Sequence, residues 1–333
     1  MPEPILEARE VTVDFAHRGR NAGHVRAVDH VSFSVAAGER LGIVGESGSG
    51  KSTLCKSIAG VYKPSSGQVL YQGAALPAKR SPDLRRAIQI VFQDPYTSLN
   101  PRMRIGKVLE EAVRAGGRTG EEPAQQVQEL LVTVGLPAVA ATVRPSKLSG
   151  GQRQRVAIAR ALAVEPTIIL ADEVTSALDV SVQAVIVNLL ARLASERNLT
   201  LVFITHNLQV VRALCNRICV MHAGRIVETA FTRTIFAAPK HPYTLALLAA
   251  APRLHPREEA SEMTARPAAP PIAAEGCAYR LRCPLARAKC AEEVPPLART
   301  GDEEPGQRVA CHAVAEGWEG AARSPANSTT GES

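Results

Sequence analysis

Three short segments carry residues whose types and spacing can act on a phosphate. Residues 45–53, GESGSGKST, place Gly45, Gly50, Lys51 and Ser52 at the spacing G-x-x-x-x-G-K-[ST]. Glycines at that spacing let backbone N–H groups turn inward, so Gly45, Ser47, Gly48, Ser49, Gly50 and Thr53 form a phosphate cradle. Lys51 would neutralise the β- and γ-phosphates, and Ser52 would offer a hydroxyl to Mg²⁺. Such a loop needs a second magnesium partner, an acid at the end of a buried strand. TIILADE (167–173) supplies Asp172, and the neighbouring Glu173 can orient or deprotonate an attacking water. LSGGQRQR (148–155) repeats half of the arrangement: Ser149, Gly150 and Gly151 precede a helix, an anion site without the lysine. One complete and one incomplete cradle fit a head-to-tail pair of chains, each completing the other's nucleotide site. A plain N-capped helix with a glycine turn is the structural alternative.

A different chemistry gathers at the far end. Cys277, Cys283, Cys290 and Cys311 are separated by five, six and twenty residues. Four thiolates can hold zinc or a [4Fe–4S] cluster. These gaps match neither the C-x-x-C zinc pattern nor the ferredoxin runs, so spacing leaves zinc, iron–sulfur and no metal all open. Cys55, Cys215 and Cys219 lie in apolar contexts and read as small core residues.

These residues need elements to hold them. Residues 5–15 and 31–35 alternate apolar and polar positions, as strands with one buried face do. RLGIVG (40–45) is a short buried strand entering the cradle, and 51–60 has helical spacing ending at Gly60. Strands are expected over 87–92, 167–170 and 200–205, and helices over 121–134, 152–163 and 181–196. The helix over 181–196 joins two buried strands, a βαβ unit that implies a parallel sheet. Residues 218–228 read as a hairpin around Ala223-Gly224. The 333 residues are 45% hydrophobic, enough for a sizeable core, and only 4% aromatic, so any aromatic at a binding position is a scarce resource. A net charge of +7 without a dense run of Lys and Arg does not choose among nucleic acid, membrane and small-anion partners. No signal-peptide pattern and no run of 18 apolar residues is present, so the chain is expected in the cytosol or peripherally on a membrane. There, clustered cysteines point to a metal before a disulfide.

Taken together, GESGSGKST, LSGGQ (148–152), the Asp172-Glu173 pair, SALD (176–179) and His206 in ITHNL resemble the ATP-binding subunits of ABC transporters, over about residues 5–250. The resemblance implies an α/β fold: a P-loop, ABC-type nucleotide-binding domain with a mixed sheet core, an antiparallel β subdomain and a helical subdomain. It implies ATP and Mg²⁺ as cofactors and further roles. Gln93 touches Mg²⁺ and signals to membrane subunits. Ser149, Gly150, Gly151 and Gln152 close on the opposite subunit's γ-phosphate. Glu173 is the catalytic carboxylate, His206 contacts the γ-phosphate, Asp179 lies at the dimer seam, and Phe15 stacks on adenine. Two departures stand out: Val174 replaces the usual proline after the glutamate, and Asn207 replaces the usual aspartate after His206. The first is expected to alter loop stiffness, the second local hydrogen bonding.

IQIVFQDPYTSLNPRM (88–103), SALDVSVQA (176–184) and HPYT (241–244) resemble the oligopeptide and dipeptide importer group, with features shared by nickel and other small-solute importers. That group often ends in G-C-x-F-x-x-R-C-P-x-A-x-x-x-C with a later Cys-His. Here Gly276-Cys277, Tyr279, Arg282-Cys283-Pro284, Ala286, Cys290 and Cys311-His312 follow it. In some members the resemblance implies a [4Fe–4S] cluster on those four cysteines. The implied organisation is an ATPase domain over 1–251, a Pro-rich linker over 252–275, a cysteine extension over 276–319 and a disordered tail over 320–333. The implied partners are a second ABC ATPase subunit, two integral membrane permease subunits and, indirectly, an extracellular solute-binding protein, at the cytoplasmic face of the membrane. The rival is a soluble ABC ATPase acting on nucleic acid. Ribosomal forms of that kind usually carry two cassettes, and DNA-repair forms carry long insertions. This sequence has neither, so no nucleic acid is expected.

Overall fold

A computed structural model describes residues 3–16, 24–95, 98–117, 122–250, 275–299 and 306–321. The linker expected over 252–275 and the tail over 320–333 fall almost wholly outside these residues.

The strands are β1 (Pro4–Ala16), β2 (His24–Ala36), β3 (Arg40–Val44), β4 (Ser66–Tyr71), β5 (Ala74–Ala75), β6 (Ile88–Val91), β7 (Ile168–Asp172), β8 (Thr200–Thr205), β9 (Arg217–His222), β10 (Arg225–Phe231), β11 (Ala298–Arg299) and β12 (Arg308–Val309). The helices are α1 (Lys51–Ala59), α2 (Pro82–Ala87), α3 (Ile105–Gly116), α4 (Pro123–Thr133), α5 (Gly150–Leu162) and α6 (Val180–Glu196). They continue with α7 (Leu208–Leu214), α8 (Thr232–Ala237), α9 (Pro242–Ala249), α10 (Lys289–Glu292) and α11 (His312–Ala315).

Two sheets result. An antiparallel sheet runs β2-β1-β4-β5, and a mixed sheet runs β11-β12-β10-β9-β3-β8-β7-β6. In the mixed sheet β9, β3, β8, β7 and β6 are parallel, while β9–β10, β10–β12 and β11–β12 are antiparallel. The expected βαβ unit is present: β7 and β8 pair in parallel, with α6 between them in sequence. The hairpin turn also falls at Ala223 and Gly224, both with positive φ.

The central strands read as continuous apolar runs because both faces are covered. Successive residues serve two cores in turn. Ile169, Ala171, Leu201 and Phe203 pack on the side of α3–α6. Ile168, Leu170, Val202 and Ile204 pack against α1 and the antiparallel sheet. Cys55 and Cys219 lie in the second core and Cys215 in the first, all buried as expected. Among the described residues no helix is long and apolar enough to cross a membrane.

The C-terminal segment has little core of its own: among the described residues its separate buried apolar cluster is Val309, Cys311, Ala313 and Ala321, while Tyr279 packs into the main core. It attaches by adding β12 to the free edge of β10, pairing Val309 with Glu228. Glu228 is buried, and its carboxylate accepts from the N–H groups of Lys240 and His241 and from Gln307 Nε2. His241 caps α9 by accepting the Tyr243 N–H at Nδ1, and Pro242 occupies the first helical turn, where its missing N–H costs nothing. Tyr243 and Tyr279 pack with the ring of His222, at centroid separations of 4.3 and 5.4 Å. The stretch HPYT is thus the seam between the mixed sheet and the cysteine segment.

Burial pushes His222 down to about 4 and His241 down to about 3, from an ordinary 6.5. Both rings stay neutral when folded, whereas the unfolded chain takes up protons below 6.5. Stability is therefore present at neutral pH and falls as the pH drops from 6.5 towards 4. Each ring adds a slope of about 1.4 kcal/mol per pH unit in that window. Urea unfolding between about pH 7.5 and pH 5 should show the decline, and His222→Phe, which keeps the ring packing, should flatten it by about that amount. An unaltered slope in H222F would contradict this assignment.

Candidate active site

The phosphate loop leaves the carboxyl end of β3 and enters α1. Gly50 takes φ 97°, and a Cβ there would stand 2.2 Å from Ala27 O, so no side chain fits the turn. Lys51 is buried. Its ammonium donates to Gly45 O at 2.9 Å, to Glu46 O at 2.8 Å and to Ser49 Oγ at 3.3 Å. Desolvation lowers its pKa, and Glu173, Asp172 and Glu46 oppose that shift.

Strand order carries the remaining acids to this loop. In the sheet β3, β8 and β7 are neighbours and parallel, so their carboxyl ends share one edge. That edge is where open α/β sheets bind ligands. Asp172 ends β7, and its Oδ1 accepts a 2.7 Å bond from Ser52 Oγ. Burial raises the Asp172 pKa, and the Ser52 hydrogen bond works against the rise. Glu173 follows with φ 48°, a left-handed conformation that costs a residue other than glycine about 1–3 kcal/mol. Its Oε1 stands 3.5 Å from His206 Nδ1, just past the end of β8. The sequence gives no sign of the strained backbone at Glu173.

Both departures from the family pattern have a local explanation. Val174 is buried in the main core, so apolar packing holds the segment where a proline ring would stiffen it. Asn207 caps α7, its Oδ1 accepting from the N–H groups of Gln209 and Val210. Asparagine and aspartate are near equals in that role.

The other candidates lie around this edge. Gln93 donates from Nε2 to Ser176 Oγ at 3.0 Å, and Ser176 Oγ donates to Glu173 O at 2.9 Å. Gln93 therefore reaches the loop that carries Glu173. Next to it in sequence, Phe92 lines a groove of about 350 Å³ with Gln89, Ser98, Ala112 and Arg160. Phe15 is about one-third exposed and packs edge-on against Tyr62, ring centroids 5.2 Å apart. Tyr62 follows α1 and is not among the residues the sequence singles out; Phe15 is singled out by its place in the family pattern, and the scarcity of aromatics is the signal that could have flagged Tyr62. Asp179 is exposed at the start of α6, and its side chain makes no capping bond.

The incomplete cradle is a well-formed helix start. Ser149 Oγ accepts the Gln152 N–H, and Gln152 Oε1 accepts the Ser149 N–H, a capping box. Gly151 lets α5 approach α6, since a Cβ there would sit 2.4 Å from Val182 Cγ1. The helix packs on α3, α4, α6 and β6. Gln152 thus spends its side-chain oxygen on the cap, and the structural alternative accounts for part of this motif.

Cys277, Cys283, Cys290 and Cys311 all line one small cavity, together with Tyr279, Leu285 and His312. Gly276 makes this approach feasible: its φ is 72°, and a Cβ would stand 2.4 Å from Cys290 O. The Cys277 N–H then donates to Cys290 O at 2.7 Å. All four thiols are free, and burial pushes Cys283 up to about 11. Among the described residues no three His, Cys, Asp or Glu side chains group closely enough to hold one metal ion. The expectation of a metal centre is corrected to that extent: the thiols share a cavity, but a single zinc ion, with its ligands about 2.3 Å from the metal, does not fit them as they stand.

Residues 28–176 match the ABC transporter family, and residues 227–290 match the oligopeptide/dipeptide transporter C-terminal region. The chain is 47% identical over 301 residues to "Probable peptide ABC transporter ATP-binding protein y4tS" of Sinorhizobium fredii, covering 88% of this chain and 84% of that one. It is 42% identical over 326 residues to "Oligopeptide transport ATP-binding protein AppF" of Bacillus subtilis, covering 93% and 97%. Among solved structures, cbiO1 of Clostridium perfringens superposes with a TM-score of 0.59 at 28% identity, covering 70% of this chain and 91% of that one. A dimeric ATP-binding cassette bound to ADP and Pi, in a post-hydrolysis state, gives 0.59 at 32% identity, covering 68% and 99%. The chain belongs to the ABC transporter ATPases, in the group that carries the oligopeptide/dipeptide transporter C-terminal region.

Proposed function

We propose that this chain is the ATP-hydrolysing subunit of an importer of di- and oligopeptides, acting peripherally at the cytoplasmic face of the cytoplasmic membrane. The observation that carries the reading is the meeting of Lys51, Ser52, Asp172, Glu173 and His206 at the carboxyl edge of three adjacent parallel strands. The peptide relatives and the matched C-terminal region support the choice of solute. Residues 1–251 would form the ATPase domain and 276–319 the extension, joined by a linker.

The cradle of Gly45, Ser47, Gly48, Ser49, Gly50 and Thr53 binds the phosphates by backbone N–H groups, aided by the start of α1. Lys51 exchanges its carbonyl partners for phosphate oxygens. Ser52 and Asp172 offer hard oxygen donors 2.7 Å apart, which suit magnesium. Held there with Gln93, Mg²⁺ would neutralise charge on the β- and γ-phosphates. Glu173 orients and deprotonates the attacking water, and His206, 3.5 Å from it, contacts the γ-phosphate. Phe15, with Tyr62 against it, offers a partly exposed ring to adenine.

A second ATPase subunit completes the site. Ser149, Gly150, Gly151 and Gln152 would face the partner's nucleotide, with Asp179 at the seam; the open carboxylate of Asp179 supports this. The groove beside Phe92 and Gln93 is the surface offered to two integral membrane permease subunits, and Gln93 links it to the Glu173 loop through Ser176. An extracellular solute-binding protein would deliver the peptide to them.

The four cysteines would hold a [4Fe–4S] cluster. One cavity lined by four free thiols supports this, as does the small core of the extension, which needs a staple. A four-iron cluster takes one thiolate per iron, so it holds the sulfurs farther apart than one ion does.

Glu173→Gln should lower steady-state ATP hydrolysis by about 100-fold or more and accumulate an ATP-bound dimer in size-exclusion chromatography. Unchanged turnover would remove Glu173 from its role. Protein purified without oxygen should contain about four irons and four acid-labile sulfides per chain, both lost in Cys283→Ser. Full-length protein with neither would contradict the cluster.

A further inference from the structure

Glu46, the second residue of the phosphate loop, has every polar group engaged. Its N–H donates to Tyr243 Oη at 2.9 Å. Its carbonyl accepts from Lys51 Nζ at 2.8 Å. Its carboxylate accepts two bonds from Arg282, Nη1 at 3.0 Å and Nη2 at 2.9 Å. Two of these partners come from far along the chain, 197 and 236 residues away. A paired guanidinium–carboxylate contact fixes direction as well as distance. Its side chains are only 20% and 27% exposed, so solvent screens it less than a surface pair.

Arg282 is itself held in place. It adjoins Cys283, and its N–H donates to Tyr279 O at 3.0 Å. Its guanidinium lies 5.4 Å from the centroid of the Tyr279 ring. Tyr279 in turn packs on Tyr243, ring centroids 5.4 Å apart. Tyr243 and Arg282, which both reach Glu46, are therefore braced by the same side chain, which lies between Cys277 and Cys283 in sequence.

We propose that Arg282 is a positioning residue for ATP: through Glu46 it holds the amino-terminal limb of the phosphate loop, and so ties the cysteine extension to the nucleotide cradle. Arg282 acts through Glu46 and, via its carbonyl, on Lys51; it touches no reacting atom. Losing the pair frees the Glu46 limb and loosens the acceptors that hold Lys51 in readiness, so ATP binds more weakly while the Glu173 and His206 arrangement is untouched. The effect should appear in KM for ATP more than in kcat.

The inference rests on residues 45–53 binding the nucleotide, so Lys51→Ala serves as the control. In the full-length chain, Arg282→Gln and Glu46→Gln should each weaken binding of a fluorescent ATP analogue by about 10-fold, with kcat within about twofold of the parent. The double variant should bind no worse than the weaker single variant, because both remove one interaction. A circular dichroism spectrum and a urea-unfolding midpoint close to the parent's would show that R282Q keeps its extension folded. Should R282Q fail to fold, E46Q with Tyr243→Phe tests the same limb. Affinities within about twofold of the parent in E46Q and R282Q, or losses that multiply in the double variant, would overturn the proposal. An unaltered affinity in K51A would instead overturn the nucleotide site, and this proposal with it.

Discussion

A buried ammonium is the constraint around which this molecule is arranged. Lys51 is 3% exposed, and a cation so far from water is costly unless it is paired and hydrogen-bonded. The loop folds back to supply Gly45 O, Glu46 O and Ser49 Oγ. Three carboxylates, Glu46, Asp172 and Glu173, add the opposing field. Each arrives by a different structural route. Glu46 belongs to the loop itself, while Asp172 and Glu173 depend on β7 lying one strand away from β3, with β8 between. A nucleotide's phosphates could then displace carbonyls that only hold the ammonium's place.

The extension bears on the same loop through Arg282 and the Glu46 carboxylate. Its small core cannot hold it upright, so it borrows stability from the mixed sheet through β12, the buried Glu228 and the rings of His222, Tyr243 and Tyr279. The segment that carries these contacts also carries the four cysteines. Stability of the seam and geometry of the cradle are therefore two aspects of one set of contacts, with Tyr243 common to both.

Much of this was legible because it rests on short-range pattern. The strand ends before Gly45 and after Asp172, the helix after Gly50 and the turn at Ala223-Gly224 each follow from local apolar runs and glycine placement. Among the catalytic candidates, Glu173 was legible from the buried strand before it and Lys51 from its glycine-spaced loop, whereas His206, just past β8, was singled out by the family resemblance. Contacts of long sequence separation were not legible. Arg282 and Glu46 are 236 residues apart, so no local pattern in the sequence joins their side chains. HPYT could be matched to a family, yet its physical purpose needed the Glu228 carboxylate and the loop N–H to be seen. The Ser149–Gln152 capping box tempers the reading of that segment as purely a phosphate site, because the same residues satisfy an ordinary helix start.

The most direct test of the account is amide hydrogen exchange on the full-length chain, with and without Mg²⁺ and ATP. The account predicts slowed exchange over residues 45–53, where backbone N–H groups bind phosphate, and over 276–284, where the extension is tied to that loop. Exchange over 45–53 that ATP leaves unaltered, at concentrations supporting hydrolysis, would contradict it.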